Sequence, residues 1–159
     1  MTDQLTGIAN RRHFFEVAER DVAAARRGAR QMTGVMIDID HFKRVNDTHG
    51  HGTGDDVIRA VAERLAAHVR SGDLVGRYGG EEFALLLHDA VPVEGLPERL
   101  RAAVADTPIR TRSGPLDITV SIGLAYLSST GTGIEELLSA ADEALYRAKA
   151  GGRDCIRAT

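Results

Sequence analysis

Apolar residues recur along the chain in two rhythms, and the points where one gives way to the other outline the elements. From Arg11 to Arg27, Phe14, Phe15, Ala18, Val22 and Ala25 are spaced for one helix face, with Asn10 placed to cap it and Gly28 to stop it. From Thr33 to Asp40 the period is two. Val35, Ile37 and Ile39 fall on one face, and Met36, Asp38 and Asp40 on the other, which predicts a central strand ending in two carboxylates. A short helix can start at His41, and backbone amides at such a start make a natural phosphate cradle. Gly50, Gly52 and Gly54 are expected to punctuate a loop before a helix from about Thr53 to Val69, with Val57, Ile58, Val61, Leu65 and Val69 on its buried side.

The apolar runs Leu74-Val75 and Phe83–Leu87 flank Gly79-Gly80. A Gly-Gly pair tolerates positive φ at both central turn positions, so the spacing predicts a primed turn between antiparallel strands. Pro92 and Pro97 bracket the start of a third helix, carried by Leu96, Leu100 and Val104 to near Asp106. Ile109 to Arg112 is too short to assign, and Gly114-Pro115 marks a turn. Ile118, Val120, Ile122, Leu124 and Tyr126 alternate as a strand, in which Gly123 marks either a bulge or a close backbone approach. Ser128 to Gly133 reads as loop. Ile134, Leu137, Leu138, Ala141, Leu145 and Ala148 predict a last helix to Lys149, stopped by Gly151-Gly152, and Asp154 to Arg157 suits a short edge strand. The order predicts an α/β (α+β) fold with a central, mainly antiparallel sheet flanked by helices; the hairpin argues against a doubly wound parallel sheet.

Composition narrows the picture. A chain of 159 residues with 43% apolar content favours one domain, residues 1–159, with a real core. Its net charge of −3 argues against nucleic-acid binding through a basic surface. Cys155 is the single cysteine, so no internal disulfide framework exists, and a reducing, cytoplasmic compartment is expected whether or not a parent protein is tethered to a membrane. No apolar run approaches membrane-spanning length and no signal peptide opens the chain. Because a motif-like stretch begins at Asp3, the domain is expected to follow a regulatory domain outside this chain.

Candidate chemistry gathers on carboxylates. Asp38 and Asp40 share a strand face near its end, where they need a cation or solvent. Successive side chains on a strand point apart, so Glu81 and Glu82 are expected to do different jobs at one hairpin. Asp55 and Asp56 fall in the first turn expected for their helix, where the dipole favours carboxylates, so a simple capping role competes with any other.

Five stretches, taken together, carry a resemblance. They are Asp3-x-Leu5-Thr6-Gly7-x-x-Asn10-Arg11-Arg12; Asp38-Ile39-Asp40-x-Phe42-Lys43-x-x-Asn46-Asp47-x-x-Gly50-His51-x-x-Gly54-Asp55; Arg77-Tyr78-Gly79-Gly80-Glu81-Glu82-Phe83; Val120-Ser121-Ile122-Gly123; and Ala141-Asp142-x-Ala144-Leu145-Tyr146-x-Ala148-Lys149-x-x-Gly152-Arg153. In this order and spacing the chain resembles the GGDEF domain of diguanylate cyclases, in the variant with Glu at the third signature position. The resemblance implies a nucleotide-cyclase-like palm. It also implies condensation of two GTP into cyclic di-GMP with release of pyrophosphate, across a homodimer in which each subunit holds one GTP. Upstream sensor or receiver domains control that pairing in relatives.

The resemblance also implies roles for residues. Mg²⁺, for which Mn²⁺ can substitute, would be held by Asp38, Glu81 and the carbonyl of Ile39, with Asp40 as rival ligand. Glu82 and Lys43 would be catalytic, Glu82 either taking the proton of the attacking 3′-hydroxyl or binding a second metal. Asn46 and Asp55 would read guanine, with His51 near base or ribose. Phe42, Lys43, Lys149 and Arg153 would meet the phosphates. Arg70-x-x-Asp73, with Arg101 as a secondary arginine, would bind the product cyclic di-GMP as an inhibitor. The competing readings are a receptor for GTP or cyclic di-GMP, which would not need Glu82, and another nucleotidyltransferase, which the guanine-reading pair disfavours.

Overall fold

The computed structural model describes residues 1–88, 95–127 and 133–159. Pro92 and positions 128–132 of the expected loop lie outside the described residues. In chain order the elements are α1 (Arg11–Arg27), β1 (Met32–Ile39), α2 (Phe42–His49), α3 (His51–His68), β2 (Leu74–Arg77) and β3 (Glu82–His88). After them come α4 (Leu96–Ala105), β4 (Ile109–Thr111), β5 (Gly114–Leu116), β6 (Val120–Tyr126), α5 (Ile134–Ala150) and β7 (Ile156–Ala158).

β1 is the middle of a five-stranded sheet of order β2-β3-β1-β6-β7. It pairs antiparallel with both β3 and β6, and the short edge strand β7 runs parallel to its neighbour β6. The mainly antiparallel sheet expected from the hairpin is therefore present. All eight positions of β1 are buried, so its alternation sorts residues between two cores rather than between core and water. Val35, Ile37, Ile39, Phe83, Leu85, Val120 and Ile122 pack with Val57, Val61, Leu65 and Leu100 of α3 and α4. Met36, Ala84, Leu86 and Ala125 pack on the other face with Phe14, Val22, Leu138 and Leu145 of α1 and α5. Asp38 belongs by parity to the α1/α5 face and ends that side of the strand.

Four expectations change. Gly79 and Gly80 do not adopt positive φ, so the hairpin is not a primed two-residue turn. Four residues, 78–81, separate the strands. The loop is held open by Arg77, whose guanidinium donates to Gly79 O at 3.2 Å and Gly80 O at 2.9 Å. Gly52 and Gly54 lie inside α3 rather than in a loop. A Cβ at Gly54 would sit 1.9 Å from Asn46 Oδ1, so that glycine permits the close packing of α2 on α3. Because α3 begins at His51, Asp55 and Asp56 lie beyond its first turn. Asp56 instead accepts from Arg112, and those bonds hold its carboxyl well below the usual range. Finally, Gly114 and Pro115 form β5, which pairs with β4 as a separate hairpin, and the turn is Arg112-Ser113.

Candidate nucleotide site

Three elements end at one place. β1 runs into Asp38 and Asp40, and His41, in the left-handed region at φ 55°, turns the chain sharply into α2. The hairpin loop brings Glu81 alongside, its carbonyl accepting from Ile39 N at 3.2 Å. The C-terminal end of α5 supplies Lys149, and the turn after it supplies Arg153. Between them lies a cavity of ≈ 510 Å³ whose walls include Asp38, Ile39, Phe42, Lys43, Glu81, Lys149 and Arg153. Seven expected site residues, drawn from three separate stretches of sequence, thus meet at one opening. Its polar floor beside a helix start is the arrangement that binds anions.

The electrostatics are those of crowded carboxylates. Asp38 is 6% exposed and accepts from Lys149 Nζ at 2.5 Å. Burial pushes its carboxyl up, the Lys149 bond and charge oppose that, and the charges of Asp40 and Asp142 add to the rise. Glu81 is raised by burial and then by the charge of Asp38. Glu82 stands directly opposite Asp38 in the β1–β3 register and does not line the cavity. Burial raises it too, followed by the charges of Asp38 and Asp142. Glu81 thus opens onto the cavity from the hairpin loop, while Glu82, the first residue of β3, does not.

The guanine-reading candidates sit one helical turn further on. Asn46 projects from α2 over Gly54 of α3, and its Oδ1 is buried with no partner among the described residues. Asp55 and His51 are exposed on the first two turns of α3. The Phe42 ring lies against Gly54 while Phe42 also lines the cavity, which links the two regions.

Asp40, the rival ligand, is committed elsewhere. It accepts from Ser121 Oγ and Thr119 Oγ1, both at 2.6 Å, and from Asp154 N at 2.9 Å. Arg101 is not brought to Arg70 and Asp73. Its guanidinium donates to Glu98 and to Asp154, whose amide in turn binds Asp40 at the C-terminal end of β1. Arg70 donates to His88 O, and His88 pairs with Met32 at the other end of the same strand. Eight strand residues separate the two places, about 25 Å. The Asp73 side chain is only 2% exposed, and its oxygens accept from Arg70 N at 3.1 Å and His88 N at 2.9 Å.

Two features escaped the sequence reading. Asp142 adds negative charge beside Asp38 and Glu82. It stands seven residues before Lys149 on α5, a same-face spacing that would have flagged it. Arg77 is the second. Beyond holding the hairpin loop, it pairs with Asp3 at 3.1 Å, tying the N-terminal turn to the signature. Burial pushes the Asp3 carboxyl up, but bonds from Thr6 and Arg77 outweigh it and hold it below its ordinary value.

Residues 1–155 match the family model described as "Diguanylate cyclase, GGDEF domain". The chain is 42% identical over 160 residues to the response regulator PleD of Caulobacter vibrioides, covering 98% of this chain and 35% of PleD. It is 43% identical over 157 residues to the diguanylate cyclase DgcP of Pseudomonas aeruginosa, covering 97% of this chain and 23% of DgcP. It therefore spans about a third or less of the length of these curated relatives. Among solved structures, the GGDEF domain of DgcB from Caulobacter crescentus in complex with c-di-GMP superposes with a TM-score of 0.92 at 39% identity, covering 99% of this chain and 92% of that one. The active GGEEF domain of a diguanylate cyclase from Vibrio cholerae superposes with a TM-score of 0.87 at 30% identity, covering 98% and 97%. With its signature reading Gly79-Gly80-Glu81-Glu82-Phe83 and the matched residues spanning nearly its whole length, the chain belongs to the GGDEF domain family.

Proposed function

We propose that this chain is an active diguanylate cyclase domain that condenses two GTP into cyclic di-GMP. Each 3′-oxygen forms a bond to the other nucleotide's α-phosphorus, two pyrophosphates leave, and each hydroxyl gives up its proton. The observation that carries this reading is the convergence of Asp38, Ile39, Phe42, Lys43, Glu81, Lys149 and Arg153 on one cavity.

The donor set fits a hard divalent cation. Asp38 and Glu81 are carboxylates on one cavity, both raised by burial and Glu81 further by the charge of Asp38, so a cation between them relieves repulsion. Among the described residues no three His, Cys, Asp or Glu side chains are grouped closely enough to hold a metal alone. Mg²⁺, or Mn²⁺ in its stead, suits a pair of carboxylates completed by phosphate oxygens, with the Ile39 carbonyl beside them. When bound, the cation neutralises charge on the phosphates.

The remaining work falls to side chains. Lys43, Lys149 and Arg153, with the first amides of α2, hold the triphosphate; Lys149 then exchanges its bond to Asp38 for phosphate oxygens. The unpartnered Asn46 oxygen and the exposed Asp55 carboxylate accept from guanine N1–H and N2–H, with His51 at the rim. Adenine offers no N1–H, which leaves Asp55 unpaired and favours GTP. Glu82 faces the attacking hydroxyl. One chain contributes one half-site, so turnover needs a second copy, paired in the cytoplasm by an upstream sensor or receiver domain of the parent protein.

The test is direct. The chain at high concentration, given GTP and Mg²⁺, is expected to yield cyclic di-GMP and pyrophosphate by chromatography. Tight GTP binding with no pyrophosphate under forced dimerisation would instead make it a nucleotide receptor.

Product inhibition is the second part of the proposal, centred within one chain on Arg70 and Asp73. Arg70 is 59% exposed in its side chain and presents a guanidinium fork suited to phosphate or to guanine O6 and N7. Asp73 is buried behind it and caps the end of β3, so replacing Asp73 perturbs the fold as well as any ligand. Arg70→Ala is the cleaner probe. Calorimetry is expected to show cyclic di-GMP affinity falling at least about tenfold, the loss of about 1.4 kcal/mol typical of one charged fork, with GTP turnover retained. Unchanged affinity removes Arg70 from the site.

A further inference from the structure

Asp40 is a buried carboxylate that the nucleotide reading leaves without a task. It is 5% exposed, and its three incoming bonds join the end of β1, the start of β6 and the turn that follows α5. That turn is unusual in itself. Arg153 and Asp154 stand side by side at φ 64° and 41°, the left-handed region, and neither is glycine. Such a conformation persists only where the surroundings over-determine it. Here the ties are visible. Arg153 N donates to Ala148 O at 3.1 Å, Asp154 N donates to Asp40 Oδ2 at 2.9 Å, and Arg101 Nη1 donates to the Asp154 carboxylate at 2.7 Å. Arg101 is itself steadied by Glu98 one turn earlier on α4. What the strained turn presents to the cavity is the side chain of Arg153.

We propose that Asp40, Asp154 and Arg101 form a clamp that positions Arg153 for the polyphosphate of the nucleotide. Asp40 is then a positioning residue rather than a ligand, because both of its oxygens already accept, one from Ser121 and the other from Thr119 and the Asp154 amide. Within the chain, Arg101 holds the turn on the substrate side through Asp154. The clamp spans β1, α4 and the end of α5, so it fixes the phosphate arginine relative to the strand that carries Asp38. The inference rests on the nucleotide reading above.

The experiment compares Arg101→Ala with wild type in the full chain. Binding of a GTP analogue with a methylene α–β bridge, which cannot react and needs one subunit only, is measured by calorimetry with Mg²⁺. GMP is titrated in parallel, and exchange of the Asp154 amide is followed by mass spectrometry or NMR. Affinity for the analogue is expected to fall about tenfold while affinity for GMP stays within about twofold, because the clamp serves the outer phosphates. Exchange at Asp154 quickens, and Arg101→Lys recovers part of the loss.

Equal losses for GMP and the analogue would mean a general structural effect and overturn the proposal. So would wild-type affinity for the analogue, or a loss confined to cyclic di-GMP. A wild-type chain that binds no analogue at all overturns the nucleotide reading instead, and the exchange comparison then still decides whether the clamp exists.

Discussion

Glu82→Gln is expected to leave the chain folded and to reduce cyclic di-GMP formation by at least about 10²–10⁴-fold, the range that a positioned proton acceptor contributes. The substitution keeps shape and removes charge. Glu82 begins β3 directly across from Asp38, with its backbone carbonyl accepting from Tyr78 N and Gly79 N, and none of those backbone bonds depends on the carboxylate. The sequence position next to Glu81 matters for the same reason. Glu81 opens onto the cavity and Glu82 does not, so the loss of Glu82 leaves the carboxylates beside the phosphates intact. A chain with Gln at this position that still turned over at the wild-type rate would take Glu82 out of the chemistry.

The same substitution makes a prediction about stability with a definite sign. Burial and the charges of Asp38 and Asp142 raise the folded-state affinity of Glu82 for its proton above that of the unfolded chain. Above both values the ionised group therefore costs stability, and the cost is released as pH falls through the raised value. Glu82→Gln removes that cost, so its melting temperature at neutral pH lies above wild type, and the difference narrows on acidification. Where ionised Glu82 is needed for turnover, the acid limb of the pH–rate profile lies above the ordinary carboxylate range, because the shift is upward. A limb at or below that range contradicts the environment the fold provides.

How much of this was legible beforehand depended on the kind of signal. Helical and strand periodicity placed α1, β1, α5 and the antiparallel hairpin, because each buries a continuous stripe and its sequence must show it. Asp38 and Glu81 were legible by motif, and the strand ends do converge. What periodicity cannot show is who answers whom across space. Asp40 and Asp38 share a face and look interchangeable in sequence; the hydroxyls of Thr119 and Ser121, some 80 positions away, separate them. The resemblance set Arg101 beside Arg70 as a secondary arginine, but it carries no information about its contacts within the chain, where Asp154 holds it from beyond α5. The glycines misled for a related reason. Gly52 and Gly54 read as loop because glycine weakens helices, but both lie in α3, where the close approach of α2 at Gly54 and of the Arg112 side chain at Gly52, invisible in one dimension, leaves no room for a side chain. Gly79-Gly80 read as a primed turn because no local signal reports that Arg77 holds the loop open.

Gly123→Ala tests the last of these glycines and is expected to be the most damaging single methyl in the fold. The sequence left Gly123 open between a bulge and a close approach. The structure decides for close approach: a Cβ there would lie 2.1 Å from Ala141 O, 2.3 Å from Leu145 N and 2.8 Å from Leu145 Cα. These are backbone atoms of α5, which cannot rotate away as a side chain can. The whole helix must lift from β6, opening the core that Ala141 and Leu145 share with Met36 and Ala125. Overpacking against backbone puts the cost at about 3 kcal/mol, near the upper end of the usual range, and so lowers Tm by about 10 °C. Function suffers beyond stability, because α5 carries Lys149, which reaches Asp38 at 2.5 Å. A helix displaced by about 1 Å moves that ammonium off the phosphates, and misplacement of that size costs on the order of 10²-fold in rate. The control lies in the signature itself. At Gly80 an added Cβ meets nothing within 4 Å and φ is ordinary, so Gly80→Ala shifts Tm by no more than about 2 °C. Thermal melts of the two variants side by side therefore separate packing from motif: if Gly123→Ala melts with wild type, α5 does not lie where β6 places it, and the position of Lys149 beside Asp38 falls with it.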